Sequence, residues 1–504
     1  MKYIKRVLIL VILMAVAALP VTPASALQAP VAFTANNLST YQTNGIAWSV
    51  AQAGGLVFVG GTFTGIKPPG GSTLTTRNNF AVFNAATGAP TACALSFTGT
   101  SATVRTLNVS PDQKTLYVGG YFSAVNGVTR HNLAAITIAG CSLNTNWHPS
   151  PNATVRAIQS TSTAVYYGGD INLVNGVSRH YAAANSAVGT ATPGALLPWA
   201  PVLSKNLRAL GLKPDNSVVL LGGDFDTVNG ADSHALAVVD ATGSGANVVT
   251  YPNYFVPVHS VVKDFAVDST GFYTGNEGTG SGVFDGRIAI DWSSYTQRWR
   301  DTCLGATQAV VVYNSVLYSG SHAHDCSSMG EYPDGARHHL LAEGVNDPHL
   351  LSWFPQTNEG LGEGLGPRDM VVATGSDGAK YMWVVGEFTT VNGKAQEGIT
   401  RFGATSDFVP SAPTGVAATT TAAGVAEISW GTSLDNDNIS LTYKIYKDGS
   451  SSPLYTVAAN STFWSRPSLS YTDAGNTPGS THSYKVTVSD GKSIVSSATV
   501  SVKL

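Results

Sequence analysis

At 504 residues the chain exceeds what one hydrophobic core usually organises, so at least two domains are expected. Hydrophobic residues at 43% exclude a disordered chain, and 12% charged residues with 53 Gly and 24 Pro argue for short strands and tight turns over helices. The formal charge is −3; without Lys2, Lys5 and Arg6, 25 basic residues face 31 acidic ones, a balance of −6 that excludes a partner for the nucleic acid backbone.

Residues 1–26 carry a basic start, an apolar run from Val7 to Leu19 and Ala24-Ser25-Ala26, the order of a cleaved secretory signal. The run is too short to cross a bilayer and no second one follows, so no membrane span is expected. The mature chain is expected to be secreted, extracellular and monomeric. The C-terminus, Ser501-Val-Lys-Leu504, has no apolar tail or sorting-type motif, which fits release or loose wall association better than covalent anchoring. In an oxidising compartment Cys93, Cys141, Cys303 and Cys326 form two disulfides, with three pairings open, and the lack of CxxC spacing argues against a zinc thiolate site.

From residue 30 to 405 one pattern recurs: a strand ending in Gly-Gly, then often Phe. It stands as Phe58-Val-Gly-Gly-Thr-Phe63, Tyr117-Val-Gly-Gly-Tyr-Phe122, Tyr167-Gly-Gly-Asp-Ile171 and Leu221-Gly-Gly-Asp-Phe225, and more loosely at Tyr273, Tyr318 and Val385. The seven copies lie 45 to 65 residues apart. Each has a strand before and after, a Val-Asn-Gly turn such as Val228-Asn229-Gly230 to join the second strand to the third, and a fourth strand closing on an aromatic-x-Pro such as Trp199-Ala-Pro201. Four antiparallel strands per repeat describe a propeller blade. The fold class expected is all-β, a seven-bladed β-propeller over 27–405 followed by a β-sandwich, with the segment Val31 to Asn36 closing the ring as a strand of the last blade. Trp147, Trp199 and Trp353 recur at one position and are read as packing between blades before sugar platforms.

The residues after the glycines, Thr62, Tyr121, Asp170, Asp224, Glu277, His322 and Glu387, form one row around the ring. Ala47, Arg105, Arg156, Arg208, Lys263, a neutral stretch near Gln308, and Arg368 form a second row that should face it across each hairpin. Opposite charges match at Arg156 with Asp170, Arg208 with Asp224, Lys263 with Glu277 and Arg368 with Glu387. Such pairs are read first as ties between strands, while Asp170 and Asp224 remain candidate ligand contacts because this face of a propeller commonly holds its pocket.

Blade six replaces the Val-Asn-Gly turn with a long loop from His322 to His339 that holds Asp325, Glu331 and Tyr332 as further candidate ligand contacts. Cys303 is placed to staple this loop to Cys326, leaving Cys93 with Cys141. His322 and His324 share one side of an extended strand and are the candidate donors for a divalent metal ion, the one cofactor considered.

A linker over 406–413 leads to a C-terminal module over 414–504 with strands of alternating pattern. Pro413-Thr-Gly-Val416, Trp430, and Pro478-Gly-Ser-Thr-His-Ser-Tyr484 resemble a fibronectin type III domain, with Tyr484 in the place of its tyrosine corner. The Gly-Gly-x-Phe, Val-Asn-Gly and aromatic-x-Pro motifs resemble the delta-60-repeat type of secreted bacterial propeller. In actinobacteria similar propellers are joined to such modules, and Ser461-Thr-Phe-Trp-Ser-Arg-Pro467 is similar to that lineage's module. The resemblance implies an extracellular protein that meets carbohydrate or cell wall, without implying an activity.

The function expected is binding of an extracellular glycan or cell-surface ligand on one ring face, dominated by blades five to seven. The alternatives are an exported polysaccharide-degrading glycosidase or lyase, with Glu277, His322 and Glu387 as candidate catalytic residues, and a scaffold for protein partners. No nucleophile elbow, phosphate loop or dinucleotide fingerprint is present.

Overall fold

The computed structural model describes residues 32–504 apart from residue 334, so the expected secretory signal over 1–26 lies outside the described residues. Among the described residues the chain is all-β, with one single-turn helix, Ser327–Met329. Among the described residues seven main antiparallel sheets follow one another between Ala47 and Phe402, with strand order equal to sequence order in each, and small two- and three-stranded sheets lie beside them. Sheets two, four, five and six have the expected four strands, as where Leu207–Leu212, Val218–Gly223, Leu236–Asp240 and Asn247–Thr250 lie side by side in sheet four, whereas sheets one, three and seven have three. The first strands of the seven, Ala47–Ala53, Thr103–Val109, Val155–Ser160, Leu207–Leu212, Ser260–Val267, Thr307–Tyr313 and Pro367–Thr374, each touch the next, and the last returns to the first. The sheets thus surround a common axis, a β-propeller-like architecture with the apolar cores between neighbouring sheets. Ring closure comes from the N-terminal side: Asn37 bridges Phe402, while the Thr34 and Leu38 amides donate to Gly403 and Arg401.

The glycine pair has two separate causes. A Cβ on the first glycine would enter the next sheet, at Val104 for Gly60, Val155 for Gly119 and Val262 for Gly222. One on the second would strike the carbonyl of the facing strand, at Ile46 for Gly61, Thr103 for Gly120 and Asn206 for Gly223.

The Val-Asn-Gly motif does not join the second strand directly to the third. It turns a two-residue hairpin of its own, as where Thr227–Val228 pairs with Ala231–Asp232, with Asn229 at φ 52° and Gly230 at φ 78°. Its asparagine amide clasps the segment arriving from the preceding sheet: Asn229 Oδ1 accepts from the Val202 amide at 2.8 Å, and Asn175 and Asn392 do the same for Ser150 and Gln356. Each clasped residue directly follows an aromatic-x-Pro, and that motif lies beyond the last strand of its sheet, in the crossing to the next. There Trp147 and Trp199 are buried and donate from Nε1 to Ser186 and Asp240 of the following sheet, and Trp353 donates to Thr34 of the closing segment. The tryptophans are therefore packing elements.

The C-terminal part packs one sheet of Thr414–Ala422, Val425–Gly431 and Ser468–Asp473 against a second built on Ser440–Lys447 and Thr481–Ser489, with Trp430, Tyr443 and Tyr484 enclosed between them. Tyr484 Oη donates to the Asp473 carboxylate at 2.6 Å. Both disulfides form as expected, Cys93 with Cys141 and Cys303 with Cys326.

Candidate functional site

Every first strand carries a one-residue bulge at the same place: the pairing skips Trp48, Arg105, Arg156, Arg208, Lys263, Gln308 and Arg368. A bulge turns its extra residue out of the ladder and re-aims the side chain, here toward the ring axis. Seven such residues line one cavity of about 530 Å³. The member from the first sheet is Trp48, not Ala47; the expected row was off by one residue there because the bulge breaks the strict alternation of the strand.

Four of the five cations in this layer are neutralised by the facing row, as the charge pattern predicted. Arg156 meets Asp170 at 2.8 Å, Arg208 meets Asp224 at 2.7 Å, Lys263 meets Glu277 at 2.8 Å and Arg368 meets Glu387 at 2.9 Å. Burial works against the charged form of Glu277, but Lys263 and then Gln308 outweigh it and hold the carboxyl below the usual range. Glu387 is wholly enclosed and also accepts from the Glu363 and Leu365 amides. Asp170 takes a further hydrogen bond from Asn206, at 2.6 Å.

Arg105 stands apart. Tyr121 occupies the facing position, and among the described residues no carboxylate or carbonyl accepts from the guanidinium, which lies 3.7 Å from the Trp48 ring centroid. Burial, then the charges of Arg156 and Arg368, pull this group down to about 10, so it remains a cation at neutral pH. Arg368 also lies over Trp48, at 4.7 Å, and donates to Glu363 and Gln308.

One layer deeper, Asp264 and Asp369 follow their bulge residues and tie neighbouring sheets together. Asp264 accepts from the Val310 amide, and Asp369 accepts from Ser49 Oγ and the Val50 amide. Burial raises both carboxyls, and for Asp264 the charge of Asp369 adds to it.

The remaining candidates fall into two other places. Glu277, His322 and His324 come together on a smaller cleft of about 400 Å³ between sheets five and six, with Asp285. His322 is held below its usual value by burial, then by Arg337 and His324, and its Nδ1 has no partner among the described residues. The imidazole centroids of His322 and His324 are 6.2 Å apart. No third donor joins these two in the described residues: the single three-residue group with ligand atoms close enough for a metal is Cys303, Cys326 and Glu331, and the disulfide consumes both thiols.

Asp325, Glu331 and Tyr332 lie on the outer loop. Asp325 accepts from the Ser327 amide and Glu331 from the Leu350 amide. The expected ligand contact at Tyr332 is not available to a solvent-borne ligand. Its ring is fully buried against Phe463 and Trp464 of the C-terminal part, with centroids at 5.0 and 6.0 Å. Phe354 meets the same two rings, and its amide donates to Asn436. The long loop therefore receives the C-terminal part, and the axial cavity draws its walls from all seven sheets, not mainly from the last three.

No protein-family model matches the chain, and no curated protein matches it at a significant level. Among solved structures, Saccharomyces cerevisiae Sqt1 is similar over 73% of this chain and 98% of its own, at 10% identity and a TM-score of 0.44. The dihydro-heme d1 dehydrogenase NirN, solved in complex with DHE, is similar over 71% of this chain and 68% of its own, at 12% identity and a TM-score of 0.38. At these scores neither likeness bears on the ligand or chemistry of this chain.

Proposed function

We propose that the chain is a secreted binding protein that takes an extracellular carbohydrate, free or on a cell surface, in its axial cavity. The ring is read as a seven-bladed propeller of the delta-60-repeat kind, and the closed circuit of first strands supports that number. Residues 414–504 are read as a fibronectin type III module, a reading supported by the two-sheet packing around Trp430 and Tyr484. The observation that carries the functional reading is the cavity itself, whose volume of about 530 Å³ suits a few sugar rings and whose wall converges charged and hydrogen-bonding side chains on the axis.

In this layer the candidate catalytic carboxylates Glu277 and Glu387 are each engaged by a cation, Lys263 and Arg368, a structural arrangement that favours binding. A second reading, a polysaccharide-cleaving enzyme, draws support from the cleft that joins Glu277, His322 and His324. Incubating the mature chain with a panel of soluble and insoluble polysaccharides, following retention and released oligosaccharides by mass spectrometry, separates the two. Retention without release is the expected result. Release that is lost in Glu277→Gln would make the protein an enzyme, and retention on no polysaccharide would end the carbohydrate reading.

A further inference from the structure

We infer that the axial cavity is an anion site centred on Arg105, and that its ligand is an acidic saccharide held through a carboxylate or sulfate group. This deepens the proposed carbohydrate reading and rests on it.

The repeated design has one omission. Wherever else the bulge residue is a cation, the hairpin supplies a carboxylate at hydrogen-bonding distance. In sheet two the hairpin supplies Tyr121, 46% exposed and not a carboxylate, so the N–H groups of Arg105 face the cavity without an acceptor among the described residues. A partly enclosed charge is costly unless paired, and the face of Trp48 offsets only part of that cost. Arg156, Arg208 and Arg368 add like charge from the neighbouring walls, while Glu363, the acid that acts on Arg105 most directly, is already engaged by Arg368. The excess of positive charge is thus local to the sheet-two side of the cavity. A planar or tetrahedral oxyanion there would receive the guanidinium fork and relieve the crowding of cations. One such ion fills a small part of a cavity of about 530 Å³, which leaves room for the sugar ring that carries it.

The test titrates the mature chain calorimetrically with oligogalacturonate, with the same oligosaccharide methyl-esterified, and with a sulfated galactan oligosaccharide. Binding of a charged form with affinity roughly tenfold or more above the ester is expected, and Arg105→Gln should erase that preference. The stronger of the two charged ligands identifies the group, carboxylate or sulfate. Affinity for neither charged form above that for the ester would overturn the anion site while leaving carbohydrate binding intact, and so would a preference that survives Arg105→Gln. Binding of none of the three, together with retention on neutral polysaccharides, would likewise overturn it, whereas no carbohydrate binding at all would remove the parent reading too. Among the described residues no side-chain hydrogen bond depends on Arg105, so the variant should fold; the acid-against-ester comparison on the unaltered chain needs no variant.

Discussion

Arg368 and Arg105 occupy the same bulge in different sheets, yet their surroundings give them opposite roles. Arg368 is sealed against Glu387, whose side chain is 0% exposed, so Arg368→Gln leaves a buried carboxylate without its cation and is expected to cost about 3–5 kcal/mol in urea unfolding. Arg105→Gln removes a cation that repels its neighbours, and the same measurement should show a midpoint unchanged or raised. Glu331 gives a pH signature. Burial raises its carboxyl to about 7, above the unfolded value of 4.5, so the cost of ionising it is absent below the unfolded value, grows between the two and is complete above about 7. Glu331→Gln, which can still accept the Leu350 amide, should therefore stabilise the protein near pH 8 and leave it unchanged near pH 4. At this scale the sequence was legible where charge paired with charge, because a hairpin fixes which residues face each other. Even the exception at Arg105 was visible as a cation opposite a tyrosine. Trp48 was not, since a bulge shifts the count by one and nothing in the local pattern announces it.

At the scale of the strand and turn, the repeat is held by two devices that recur together. The Gly-Gly pair gives space to the facing carbonyl and to the next sheet, and the asparagine of Val-Asn-Gly clasps the chain crossing in from the previous one. Asn229→Ala forfeits the side-chain acceptor and puts an alanine at φ 52°, which should cost about 2 kcal/mol or more by thermal unfolding. Gly223→Ala drives a methyl into the Asn206 carbonyl, and hydrogen exchange in sheet four should accelerate in that variant ahead of the other sheets. The motifs told where turns and glycines fall. They did not tell that the turn forms a separate hairpin or that the aromatic-x-Pro lies past the last strand of its sheet, because both are fixed by partners about 20 to 40 residues away, such as Val202 with Asn229 and Trp199 with Asp240.

For the whole molecule, the loop of sheet six is the feature whose meaning changed most. Its histidines and acids invited a ligand site, but contact with Phe463 and Trp464 turns much of it into a seat for the C-terminal part, a long-range packing that no local pattern carries. Trp464→Ala should loosen that seat and speed proteolytic cleavage in the segment over 406–413. A saccharide that enters the axial cavity meets Trp48, which lies in its wall and reports on its arrival. The most direct measurement is tryptophan fluorescence during titration with the tightest-binding oligosaccharide, in the mature chain and in Trp48→Phe. A saturable change that disappears in Trp48→Phe, while retention on the same polysaccharide persists, is the predicted result; a change of equal size in both proteins would place the ligand outside the axial cavity.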